Sequence, residues 1–369
     1  MKACVTGATG FLGAHVARLL DERGDEVRVV YRDPDKLALL PGVTFKRSKA
    51  DVLDFDDMCR AVRGSDVLFH TAGYVASSPA ERVWAMNARS PRIAVEAAAS
   101  EGVGRVVATS TISAVGTASG GGPADEGTEY PEEWLGLLYP DSKHQGELEA
   151  LEAGRRLGVD VVVVNPAYVL GVPVDPSQPG ETSTRIVGNY LRGRLPAVID
   201  APMNFVDVAD VAAGHLLAAD RGQPGERYIL GGVNRTWPEM IDRLAAVSGV
   251  RHPVMVLPGE IAVLARVRET LSLPGPLSAQ GYELMAQDWR FTSAKAEREL
   301  GYSARSLDET LEATAGWYRD LIDGGTFDGS DSSPLAAVSS ALGTAQRLRL
   351  LTGLRLAQPL ARRRLVAGV

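Results

Sequence analysis

Apolar positions along the chain follow two alternating periods. Short apolar runs at 3–6 (ACVT), Glu26–Tyr31 (EVRVVY), 43–45 (VTF), 66–70 (DVLFH), Arg105–Thr109 (RVVAT) and 161–164 (VVVV) read as strands. Between them, apolar residues recur at helical spacing. Phe11, Leu12, Val16, Leu19 and Leu20 form one such face, a second helix follows Ala50, Asp51 and Val52 and runs through Met58 to Val62, and a third spans 80–99. Nearly continuous apolar strands alternating with amphipathic helices predict a parallel, doubly wound α/β sheet covered on both faces.

The alternation loosens after residue 171. Residues 172–202 are rich in Pro, Gly and Ser, with one helix expected at Arg185–Leu191. A strand-like segment at 204–211 (NFVDVADV), a helix to Ala219 and a strand at Arg227–Leu230 return to the sheet layer. Helices at 238–248 and 260–271 follow. The predicted division is therefore 1–171 with 203–232 as a sheet domain, 172–202 with 233–320 as a smaller, discontinuous substrate lobe, and 321–369 as a tail.

Composition narrows the class. With 369 residues, 45% hydrophobic, 23% charged and a net charge of −7, the chain reads as an ordinary globular protein with no call for nucleic acid. Only Cys4 and Cys59 are present, which argues against a disulfide framework or a zinc site. A strand beginning at residue 2 leaves no room for a secretory leader, and no apolar run approaches the roughly 18 residues of a membrane span, so a cytoplasmic protein is expected. The tail departs from the rest. Beyond Asp331 there is no acid, while Arg347, Arg349, Arg355, Arg362, Arg363 and Arg364 are all basic. Such a tail is either a flexible appendix or a segment that docks on an acidic surface, its own body included, or on an anionic membrane.

The first strand runs into Gly7, Gly10 and Gly13 and then into a helix. Glycines there permit a tight turn and the close approach of a diphosphate, whose charge the N–H groups of the helix N-terminus attract. Thr9, Phe11 and Leu12 share this turn, which reads as a dinucleotide site. Arg32 follows Gly13 by 19 residues, where a ribose-reading side chain is expected. A guanidinium suits a 2′-phosphate, so NADP(H) is preferred; Asp33 argues for NAD(H), which remains the alternative. Asp51, beside Val52, caps the helix that follows or faces the adenine, two compatible roles. Thr71, Ala72 and Gly73, at the end of a buried strand, let a cofactor cross the sheet edge, and His70 just before them reads as a packed strand-end side chain.

The candidate chemistry lies after the strand Arg105–Thr109. Tyr139 and Lys143, one helical turn apart behind Pro140, share a helix face. A lysine cation about 4 to 6 Å from a phenol would favour the phenolate and bring its pKa towards working range. A hydroxyl from the strand end at 109–113 would hold a substrate oxygen beside it.

Taken in order, VTGATGFLG, HTAG, ATSTISAVG, YPDSK and NPAYVLG resemble the extended short-chain dehydrogenase/reductases over about residues 1–320. The resemblance implies a Rossmann-type sheet, a catalytic hydroxyl at Thr111 with Ser110 as its rival, an acid–base at Tyr139, and Lys143 on the nicotinamide ribose. It places Asn87 near the cofactor and the active-site helix, Pro166 beside the nicotinamide, and makes a homodimer plausible. The reaction it implies is hydride transfer between a carbonyl and a secondary alcohol. The arginine that sugar-nucleotide members carry before the FVDV strand is replaced here by Pro202, Met203 and Asn204. Together with YRDP at 31–34 and ERYILGG at 226–232, this points to the dihydroflavonol-reductase-like and hydroxysteroid-dehydrogenase-like branch and a small, fairly apolar substrate. A nucleotide-sugar epimerase or dehydratase holding NAD tightly is the alternative. A nucleotide-sensing protein without turnover is disfavoured by the intact Thr111, Tyr139 and Lys143 set. Ile261, Val263, Leu264, Val267 and Leu271 form either an apolar substrate wall or a helix core face.

Overall fold

A computed structural model describes residues 1–76, 78–118, 121–179, 182–259, 279–327 and 365–366. Seven strands, β1 (Lys2–Thr6), β2 (Glu26–Tyr31), β3 (Lys46–Lys49), β4 (Val67–His70), β5 (Arg105–Thr109), β6 (Asp160–Pro166) and, beyond two small sheets, Arg227–Leu230, form one sheet. The last of these is β10 in chain order, and the spatial order is β10-β6-β5-β4-β1-β2-β3 with every pair parallel. Right-handed crossovers that run in both directions from β1 put helices on both faces. Here α1 (Phe11–Glu22) and α7 (Val208–Arg221) pack together on one face, while α2 (Phe55–Val62), α4 (Ser90–Ser100) and α5 (Leu138–Leu157) pack together on the other. The central strands are buried on both sides, as in Val5 and Phe69 facing one core and Cys4 and Leu68 facing the other.

Three local expectations are corrected. The third strand is Lys46–Lys49, not 43–45; β3 is the outermost strand, so it pairs by main chain to β2 while its charged side chains stay largely in solvent, and no apolar run marks it. The helix expected over 80–99 is α3 (Ala80–Trp84), a π-helical turn (Ala85–Arg89) and then α4, with Pro91 in the first turn of α4. The strand around Asn204 is β9 (Pro202–Asp207), which pairs with β7 (Tyr168–Leu170) and β11 (Val233–Thr236) in a separate three-stranded sheet instead of joining the large one.

Beyond these lie α6 (Arg185–Leu191), β8 (Ala197–Ile199), α8 (Trp237–Ser248) and β12 (Val254–Leu257), with β8 and β12 parallel in a third sheet. Leu365–Val366 pairs antiparallel with β12. The aromatic groups Tyr168, Phe205 and Trp237 meet edge to face and fill the space between the small sheet and α8. The helix expected at 260–271, the apolar positions on it and the six arginines of the tail lie outside the described residues. Among the described residues no helix is long and apolar enough to cross a membrane.

Candidate active site

The strand order reverses between β1 and β4, and there the carboxyl ends stand side by side, Thr6 opposite His70. Ligands of open α/β sheets lodge in the crevice at such a point. Gly7 has φ +68°, a left-handed conformation that glycine adopts without penalty, and Gly10 N–H closes the turn on Gly7 O at 2.9 Å. A Cβ on Gly7 would lie 2.7 Å from Ala72 N, and one on Gly13 would strike Gly7 O and lie 2.5 Å from Thr71 Oγ1. These two glycines are required by the protein's own packing. Gly10 differs, because a Cβ there would meet only Gly7 O, at 3.2 Å. It is exposed and caps α1 without a side-chain bond, and the first turn holds no acid. The N–H groups of that end therefore face an open space that suits a diphosphate.

Thr71 donates to Thr6 O at 2.6 Å, tying the end of β4 to β1. His70 is buried, with Nδ1 3.0 Å from Thr6 Oγ1 and Nε2 3.0 Å from Ser90 Oγ. Ser90 donates to Met86 O, so its oxygen accepts from His70 and the ring is neutral, with burial pushing its pKa down to about 3. Asn87, on the π turn, accepts from Tyr74 N–H and donates to Tyr74 O and to Ser142 Oγ. With both amide hydrogens taken by the protein, it fixes the end of β4 against α5. Gly146 makes that contact feasible, since a Cβ there would collide with the Asn87 carbonyl oxygen.

Arg32 is exposed, and no ion pair or hydrogen bond holds its guanidinium among the described residues, whereas the Asp33 carboxylate accepts from Asp35 N–H at 3.0 Å and caps a short 3-10 turn. Asp51 accepts from Leu53 N–H, and the cap of α2 is Asp54 instead; Val52 beside it is buried. A cavity of about 460 Å³ lies over the glycine turn, lined in part by Thr9, Gly10, Phe11, Lys36, Leu39 and Pro173. Lys36 was not anticipated from the sequence, though it lies four residues after Arg32 and carries the same charge. Leu12 packs on the large core.

At the end of β5, Thr111 caps a 3-10 turn, and its Oγ1 accepts from Ser113 N–H and lies 3.3 Å from Ser113 Oγ. Ser110 Oγ is buried with no partner among the described residues. Tyr139 and Lys143 stand on the first turns of α5. Burial pushes the Tyr139 phenol up to about 12, opposed by hydrogen bonding from the Thr111 side chain. This corrects the expectation of a phenol lowered by its lysine: desolvation by burial is the main influence on it here, and it acts upward. Lys143 instead donates to Thr109 O at 2.9 Å, and burial lowers it to about 8 while Glu147 opposes the drop. Gly73 has room for no side chain without crowding Lys143, its Cβ position being 3.1 Å from Nζ. Pro166 closes β6 opposite Leu230 of β10.

The profile of the NAD-dependent epimerase/dehydratase family matches residues 3–231. The chain belongs to that family. It is an enzyme of a superfamily of NAD(P)-dependent reductases, epimerases and dehydratases, and its parallel sheet is Rossmann-like. It is similar to a putative dihydroflavonol 4-reductase of Synechocystis sp., 33% identical over 86% of this chain and 94% of that one. A sterol demethylase protein B of Methylococcus capsulatus is also 33% identical, over 87% and 99% of the two chains. Among solved structures, a nucleoside-diphosphate-sugar epimerase from Pseudomonas aeruginosa aligns with TM-score 0.73 and 27% identity over 89% of this chain and 99% of that one.

Proposed function

We propose that this enzyme is an NADP(H)-preferring reductase that interconverts a carbonyl and a secondary alcohol on a small, fairly apolar substrate. The observation that carries the reading is that Lys143, one turn along α5 from Tyr139, is anchored on Thr109 O at 2.9 Å, at the strand end that leads into Thr111. A nicotinamide dinucleotide fits the residues present: α1 and the Gly7–Gly10 turn would hold its diphosphate, Thr71 to Gly73 would border its path, Lys143 would bind its ribose, and Arg32 with Lys36 would take a 2′-phosphate. Preference for that phosphate rests on Arg32 having no protein partner among the described residues while Asp33 is occupied in a cap. Bound, the nucleotide supplies the hydride.

The residues do the rest. A phenol raised to about 12 is an O–H at neutral pH, so Tyr139 acts first as an acid, giving its proton to a carbonyl oxygen. The Thr111 hydroxyl donates a second hydrogen bond to that oxygen, and Lys143, a cation below about pH 8, favours the phenolate left behind. The named chemistry of the reductase relative supports this class. At the start of β9, Met203 and Asn204 are buried, and Asn204 is tied to Asn234 and Phe291, so no guanidinium for a sugar-nucleotide diphosphate stands there.

The test is to denature the purified protein, identify any nucleotide released, and titrate the emptied protein with NADPH and NADH. Binding NADPH about tenfold tighter or more, a difference of about 1.4 kcal/mol, supports the reading. Stoichiometric NAD, tightly held, replaces it with a nucleotide-sugar epimerase or dehydratase.

A further inference from the structure

The face of α5 that carries Tyr139 and Lys143 continues one turn on to Glu147, whose side chain is 3% exposed. An interior carboxylate needs fixed partners. Glu147 has two: Arg227 Nη1 on β10 donates to Oε1 at 3.1 Å, and Asn165 Nδ2 near the end of β6 donates to Oε2 at 3.0 Å. The other hydrogen of that amide goes to the Thr111 main-chain carbonyl, also at 3.0 Å. Asn165 Oδ1 is buried with no partner among the described residues. Proteins seldom leave a buried amide oxygen unpaired. Here the alternative is worse, because a flipped amide would set that oxygen against a carboxylate and a carbonyl. Asn165 is therefore held for its two donors, which join Glu147 to Thr111.

We propose that Glu147 is a positioning residue of the reaction: through Asn165 it fixes the Thr111 main chain, and it sets a buried carboxylate one turn along α5 from Lys143, with Arg227 holding that carboxylate in place. This rests on the reading of Thr111 and Lys143 as members of the nucleotide and substrate site. The groups facing Lys143 among the described residues are few. On its own helix they are Tyr139 and Glu147, on β5 the Thr109 carbonyl, on β4 the neutral His70, and on the π turn the Asn87 amide; Arg227 on β10 reaches it through Glu147. Glu147 is the acid among them. Coulomb's law then gives opposite signs for its two neighbours: losing the acid makes the lysine release its proton at lower pH, and losing the Arg227 cation lets the carboxylate act on the lysine more strongly, so release moves to higher pH.

The experiment is the pH dependence of NADPH binding by the full-length protein, which needs no turnover. In the wild type, affinity is expected to fall as Lys143 loses its charge near pH 8. Glu147→Gln is expected to move that midpoint down by about one unit, Glu147→Asp to restore most of it, and Arg227→Met to move it up. A merely structural role would lower stability and leave the midpoint where it was. Midpoints unmoved in both Glu147→Gln and Arg227→Met, or moved in the same direction, overturn the role of Glu147. A wild type that binds neither NADPH nor NADH overturns the nucleotide reading itself, and this proposal with it. Should Glu147→Gln fail to fold, Arg227→Met alone decides, because its side chain is about a quarter exposed and the sign it predicts is specific.

Discussion

Replacing Gly10 and Gly13 separately by alanine should split nucleotide binding from folding. At Gly13 the new methyl would lie 2.5 Å from Thr71 Oγ1 and 2.7 Å from Gly7 C, so main chain must move by about 1 Å to restore ordinary contact. Overpacking of that kind costs about 1–3 kcal/mol. Gly10 has φ −94°, open to any residue, and its Cβ would meet only Gly7 O at 3.2 Å. Losing glycine at a helix cap costs up to about 1 kcal/mol, offset in part by a stiffer unfolded chain. A methyl at Gly10 does, however, occupy the approach to the α1 N-terminus. Disrupting one or two charge-assisted bonds to a diphosphate, at about 1.5–3 kcal/mol each, lowers affinity by about tenfold to several hundredfold or more. Urea denaturation with fluorescence titration of NADPH measures both quantities. Gly10→Ala should keep its stability within about 1 kcal/mol and lose affinity; Gly13→Ala should lose stability first. If Gly10→Ala binds NADPH as tightly as the wild type, no diphosphate lies over this turn.

Tyr139→Phe should abolish turnover and leave nucleotide affinity nearly intact in the same titration; equal loss of both would mean the residue is misplaced. Arg32→Asp should shift preference from NADPH towards NADH by about tenfold or more, as a guanidinium–phosphate pair worth about 1.5–3 kcal/mol is lost, and an unchanged ratio refutes its role. Stability should fall with acid well before the carboxylates titrate. His15, His70 and His215 are buried neutral, with pKa values lowered from 6.5 to about 4, about 3 and about 4. The unfolded chain binds protons that the folded one refuses, so their contribution is complete above pH 6.5 and is lost as pH falls towards 4, at about 3 kcal/mol for each histidine. Thermal denaturation at a series of pH values checks this; a melting temperature flat from pH 7 to about pH 4 would contradict the buried neutral rings.

The order of strands and helices was legible because both faces of a parallel sheet are covered, so its inner strands are written as apolar runs that no neighbour needs to explain. VVVV at 161–164 and RVVAT at Arg105–Thr109 are such runs, and each lies within the strand the structure shows. Edge strand β3 is not legible for the converse reason: largely exposed Lys46–Lys49 pairs by main chain, which leaves no trace in side-chain hydrophobicity. The glycine turn, the strand ends and the Tyr139–Lys143 spacing were equally plain, since each depends on neighbours within one turn of chain.

The information read along the chain is thus local: strand, turn and helix, and the residues that a nucleotide and a proton transfer require. Tertiary structure decided the rest. It drew β9 out of the large sheet by pairing it with β7 and β11, and it gave Asp51 a turn instead of a helix cap. It also reversed the expected shift of Tyr139, because burial acts on a phenol through everything around it, whereas spacing along a helix reports one lysine. Glu147, Asn165, Arg227 and Thr111 come from four separate segments, and their meeting is fixed by the packing of α5 on β6 and by the bond from Arg227 of β10 to Glu147. Periodicity along the chain carries no information about such a meeting.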